Sequence, residues 1–206
     1  MEPEKSQFNR NLLIILVVLY VITIAAFSYT VWVVEGKDMN LWMTLLNIPI
    51  LSIPLVLLFG SIYVLVVAWR EHSSLGQVSP RLAKLIHWAP RLAAILIIFF
   101  ITLFSLDMFG TEASLLEQVG GFLIHSIPSI IMIGLLVFAW KWPAVGFVAF
   151  LAAGILSAAF FVRDIYALPN LLLFVLPTLL IAFLFYIDWK WLKPSSPAPV
   201  DSVTQA

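Results

Sequence analysis

The chain has 206 residues, of which 63% are hydrophobic and 11% charged, with a formal net charge of zero. Its mean hydropathy of +1.07 lies far outside the mixture of a soluble globular domain, so the expected fold class is all-α, a polytopic integral membrane protein. Balanced charge supplies no field that recruits nucleic acid, and the lack of cysteine removes disulfides, thiolate catalysis, iron–sulfur clusters, thiolate metal sites and prenylation.

A hydrocarbon core of about 30 Å needs about 20 apolar residues per helical crossing, so the length accommodates roughly six crossings with short loops. Residues 1–11 are polar, and residues 12–34 are apolar apart from Thr23, Ser28 and Thr30. A cleaved signal peptide is the competing reading, because Ala26-Phe27-Ser28 resembles a small-x-small site. Its apolar region would be about 7–15 residues, so the longer run reads as a retained helix. After Glu35-Gly36-Lys37-Asp38, a second apolar run covers 41–69 and contains Pro49 and Pro54. Each proline removes a backbone donor, which predicts a kinked helix whose break faces protein.

Residues 70–89 form the one long polar connection, with Arg70, His72, Arg81, Lys84 and His87. Ser79-Pro80 reads as an N-cap and first helical residue. The stretch after it puts Leu82, Leu85, Ile86 and Ala89 on one face, which suits either a short helix in the headgroup region or a solvated loop. Pro90 is expected to restart a helix that crosses to Phe109. Helix four is expected over 114–139 with Pro128 inside, helix five over 143–162, and helix six over 168–187 with Pro177 inside. The organisation is thus a two-helix hairpin over 1–69, a basic cytoplasmic connection over 70–89, a four-helix transmembrane domain over 90–189 and a disordered tail over 190–206. On helix five, Gly146, Ala149, Ala153 and Ser157, with Gly154 beside them, form a small-residue stripe suited to close helix approach.

Orientation follows from the Lys and Arg residues. With the N-terminus inside, nine fall on the inner side and two, Lys37 and Arg163, outside. That predicts both termini in the cytoplasm. All eight tryptophans lie at predicted helix ends, where their amphipathic rings prefer the headgroup level. Trp32 and Trp42 mark the outer boundary; Trp69, Trp88, Trp140, Trp142, Trp189 and Trp191 mark the inner one.

From Arg91 onward several stretches carry a resemblance: Ser105-Leu106-Asp107-Met108-Phe109, Leu123-Ile124-His125-Ser126-Ile127-Pro128, Ala139-Trp140-Lys141-Trp142 with Gly146 after it, Arg163, and Pro177. Over residues 91–187 the chain resembles an uncharacterised family of small prokaryotic multi-pass membrane proteins, a four-helix domain of unknown function. The resemblance implies a fold and a prokaryotic membrane, and no activity comes with it.

Ionisable groups inside apolar spans are costly, and each is by default a site needing a partner. Asp107 and His125 are the conspicuous ones. At 1.5 Å per residue Asp107 lies about 4–5 Å below the Gly110 turn and His125 about 16 Å below Ser114, too far apart to bond directly. Thr102, about 12 Å deep, is the better match for His125. For Asp107 the expected partner is Arg163, whose planar fork suits a carboxylate; the alternative is that Asp107 caps helix four. Ser105 and Ser129 accompany these groups, and Asn47 with Thr44 beside Pro49 makes a second polar break. An imidazole changes charge near neutrality, so His125 with the proline-broken helices suggests a small-solute or proton-coupled path.

No intramembrane-protease signature, Walker, Rossmann or HExxH motif occurs, and His72 and His87 sit at a different depth from His125, so no bis-histidine haem is expected. The leading expectation is a structural or accessory bundle of the cytoplasmic membrane, without catalytic activity or cofactor. Its partners are membrane lipids, with other membrane proteins or a second copy as further candidates. A transporter and an intramembrane lipid-modifying enzyme remain the alternatives.

Overall fold

The computed structural model describes residues 2–35, 41–110, 113–163 and 167–192. Described in chain order are α1 (Glu2–Glu35), α2 (Leu41–Leu75), α3 (Pro80–Ser105), a 3-10 turn (Leu106–Gly110), α4 (Leu115–Lys141) and α5 (Pro143–Phe161). A composite last crossing follows, made of α6 (Ala167–Asn170), a π-helical turn (Leu171–Val175) and α7 (Leu176–Trp191). Six of the described helical segments are long and apolar enough to cross a membrane, as expected of a multi-pass membrane protein.

Local chemistry explains the boundaries. Ser114 caps α4 in a capping box: its hydroxyl accepts the Glu117 N–H, and the Glu117 carboxylate accepts the Ser114 N–H at 2.9 Å. Pro143 opens α5, where its missing N–H leaves no bond unmade. Gly76 stands at φ +67°, a conformation glycine adopts freely, and its N–H closes the end of α2 on the His72 carbonyl at 2.8 Å. Ahead of Pro177 the backbone widens into the π turn, with the Leu176 N–H reaching back to the Leu171 carbonyl. A widened turn is the usual accommodation of a helix near proline. The Thr178 hydroxyl then donates to the Phe174 carbonyl at 2.6 Å.

α3 starts where Ser79-Pro80 predicts, but no break separates that stretch from the helix expected to restart at Pro90. It runs unbroken through that proline, which is itself fully buried. The expected apolar face is used, but for packing: Leu82 and Ile86 are buried in a cluster with Val64 and Ala68 of α2 and Leu184 and Ile187 of α7. The stretch is therefore part of the bundle, not a separate interfacial helix or loop. Tertiary burial outweighs the lost backbone bond. In α2, Pro54 is buried whereas Pro49 is exposed, so only one of the two breaks faces protein.

α3 and α7 are central. Their main cluster joins Ala94, Ile97 and Phe100 of α3 to Ile181, Ala182 and Phe185 of α7, with Leu136 and Ala139 of α4 and Phe150 of α5. α1 lies outside this core along α2, held by Tyr20, whose hydroxyl donates to Ser52 at 3.0 Å. Leu16 is the buried hydrophobic residue that α1 contributes among its described side chains.

The helix-five stripe divides into two. Gly146 and Gly154 are buried against Phe185 and Leu179 of α7, while Ala149, Ala153 and Ser157 line a groove between α4 and α5. Two helical turns separate the glycines, so the closest backbone approach is made where no Cβ exists.

Candidate functional site

At the end of the bundle where α2 and α7 finish and α1 and α3 begin, an arginine and an aspartate meet inside the protein. Arg91, 1% exposed, donates from Nη1 to Asp188 Oδ2 at 2.7 Å. Nη1 also donates to the His87 carbonyl, and Nη2 donates to the Trp140 carbonyl at 3.2 Å. The other carboxylate oxygen of Asp188 lies 3.3 Å from His87 Nδ1. The network ties α3, α4 and α7 together, with the guanidinium 5.9 Å from the Phe185 ring centroid. Charge cancels within it, the condition under which buried ions are tolerated. The His87 carbonyl lies beside the break at Pro90, whose missing N–H leaves the neighbouring Ile86 carbonyl without its helical donor.

His87 itself is half exposed and faces a cavity of about 690 Å³, shared with His72, Lys84, Trp88 and Trp191. His72 stacks on Trp191 with ring centroids 4.2 Å apart. Among the described residues the lining of the cavity combines cationic and aromatic side chains and includes no Ser, Thr or Cys. Among the described residues no cluster of metal-ligating side chains occurs. The tryptophans expected at one boundary do gather here: Trp88 and Trp140 are 6.0 Å apart, Trp69 and Trp191 6.3 Å.

The residues singled out by sequence are placed elsewhere. Phe109 and Phe122 meet at 5.3 Å, and stepping down both helices from that pair puts Ser105 level with Ser126 and Thr102 level with Ser129. On the same register His125 stands level with Leu106 and about 6 Å from the level of Thr102, so the expected depth match fails, and the expected Thr102–His125 contact is absent. His125 is exposed, with Nδ1 2.9 Å from its own helix's Gly121 carbonyl, and the Thr102 hydroxyl donates to Ile98 O at 2.8 Å. The inward face belongs to Ser126 and Ser129. Both are buried, as is Ser105 on α3, and the three hydroxyls have no hydrogen-bond partner. The proline-broken helices are not brought face to face either: α2 packs on α1, α3 and α7, while Pro128 of α4 opens onto the groove with α5.

The side chains of Asn47, Thr44 and Asp107 lie outside the described residues, and with them the expected Asp107–Arg163 pair. Arg163 is exposed just past α5. As for a helix-four cap, Ser114 and Glu117 fill that role.

The Arg91–Asp188 pair was the element that sequence reasoning missed. Its signal was present: an arginine directly after Pro90 at the start of an apolar span, and a lone aspartate among Phe185, Tyr186, Ile187 and Trp189 near the end of another. Both sit at the same boundary.

The sequence matches the family described as a domain of unknown function (DUF7670) over residues 79–197, more than half of the chain. The chain belongs to that family. The matched region starts one residue before α3 and contains all of the Arg91–Asp188–His87 network, so it extends beyond the 91–187 of the resemblance at both ends. No curated protein and no solved structure matches the chain.

Proposed function

We propose that this member of the DUF7670 family is an accessory or structural bundle of a prokaryotic cytoplasmic membrane, with both termini inside and no catalytic activity. The observation that carries the reading is the Arg91–Asp188 pair. The two most deeply buried charges described are both spent on joining α3, α4 and α7, which is cohesion rather than chemistry. The nine-to-two distribution of Lys and Arg supports the orientation.

Reporter fusions after Gly36 and Gly76 should read outside and inside respectively; a periplasmic signal after Gly76 would overturn the topology. Reconstituted in liposomes with a trapped pH dye and an imposed gradient, the protein should move protons no faster than empty vesicles. A flux that disappears in His125→Ala would sink the accessory reading and favour a proton-coupled path. The unpartnered hydroxyls of Ser105, Ser126 and Ser129 are what favours that second reading, because polar groups lacking partners at depth are otherwise costly.

A further inference from the structure

A second cavity at the same end of the bundle, about 810 Å³, lies between Phe8 of α1, the last turns of α2 and the last turns of α7. Arg70 is the charged residue on its wall, and the guanidinium carbon sits 3.8 Å from the Phe8 ring centroid. Its Nη1 is buried and has no acceptor. Among the described residues no carboxylate pairs with it, because the neighbouring Glu71 instead accepts the Ser79 N–H. A guanidinium with a buried donor and no acceptor is in a costly state, and the Arg70 side chain stands on the wall of a space large enough to admit an anion.

The rest of the wall is graded along the bundle axis. Trp69, Ser73, Ser74 and Trp191 stand level with Arg70 or beyond it, toward the end of the bundle. Leu65 and Val66 lie about 6–8 Å deeper on α2, and Phe183 lies about 12 Å below Trp191 on α7. A positively charged, tryptophan-flanked head thus continues into an apolar trough that runs toward the middle of the span. That is the polarity profile of one phospholipid molecule, phosphate at the interface and acyl chain below.

We propose that this cavity binds an anionic phospholipid, with the phosphate on the Arg70 guanidinium and an acyl chain along Leu65, Val66 and Phe183. Charge complementarity selects the occupant: among the described residues the wall offers a cation and no carboxylate, and arginine matches phosphate geometry. A lipid held this way bridges α1 to α2 and α7, and so fastens the peripheral helix to the core.

Native mass spectrometry of the full-length protein in detergent tests this with dioleoylphosphatidylglycerol as probe. One lipid should bind in preference to any further ones. Arg70→Gln should weaken that first binding about tenfold, the scale of one lost charge-assisted hydrogen bond, and Arg70→Lys should recover part of it. Val66→Trp, which fills the trough and leaves the charge in place, should weaken it as well, so the site can be tested from its apolar end if Arg70→Gln fails to fold. Dioleoylglycerol, lacking phosphate, and glycerol 3-phosphate, lacking chains, should each bind at least tenfold more weakly. Arg81→Gln, an exposed basic residue outside the cavity, should leave binding unchanged. Equal affinity in wild type and Arg70→Gln, equal loss in Arg81→Gln, or glycerol 3-phosphate binding as tightly as the lipid would each overturn the proposal.

Discussion

Arg91→Met and Asp188→Leu, made singly, are expected to destabilise the folded bundle by about 3–5 kcal/mol each, and the double substitution is expected to cost less than either. Each single change strands one buried charge. Without Arg91, the Asp188 carboxylate, 3% exposed, keeps only the 3.3 Å approach of His87. Without Asp188, the guanidinium keeps only the carbonyls of His87 and Trp140. Removing both replaces the pair with apolar side chains beside Phe185, an exchange that is often neutral. The measurement is reversible unfolding in mixed micelles, with the coupling read from the double-mutant cycle. Strictly additive costs would mean that the two side chains do not meet.

The second large effect belongs to Gly146. A Cβ there would lie 2.7 Å from the Phe185 ring and 2.9 Å from the Ala139 Cβ, so α7 and α4 both stand in its way. Gly146→Ala should cost about 1–3 kcal/mol, the range for overpacking a filled interior. Gly154→Ala meets Leu179 Cδ2 at 2.5 Å, the far end of a flexible side chain, and should cost less. Gly134→Ala meets nothing within 4 Å and should stabilise α4 by about 0.5–1 kcal/mol. The order of unfolding midpoints should therefore be Gly134→Ala highest, then wild type, Gly154→Ala and Gly146→Ala. Equal effects at Gly146 and Gly134 would contradict the close approach of α5.

The number of crossings, the helix starts near Ser114 and Pro143, and the tryptophan-rich end were all legible in the sequence. Each depends on a local property: run length against bilayer thickness, a capping side chain, a proline without an N–H, an amphipathic ring. The start of α3 at Ser79-Pro80 was legible too, but its continuity through Pro90 was not, because that proline reads locally as a boundary. Burial of Leu82 and Ile86 against α2 and α7 overrides it.

Which face of each helix turns inward was decided only by the tertiary structure. His125 and Ser126 differ by one residue, about 100° of rotation, yet the imidazole is outside and the hydroxyl inside. Gly146 and Gly154 meet α7, while Ala149 and Ala153 line the groove with α4. Arg91 and Asp188 meet across 97 residues of chain. In water an apolar stripe marks the buried side, but lipid is as apolar as a protein core, so apolarity carries no such mark in a membrane span. What remains to set rotation and pairing is shape complementarity and the mutual satisfaction of polar groups, and both require the neighbouring helix to be in place.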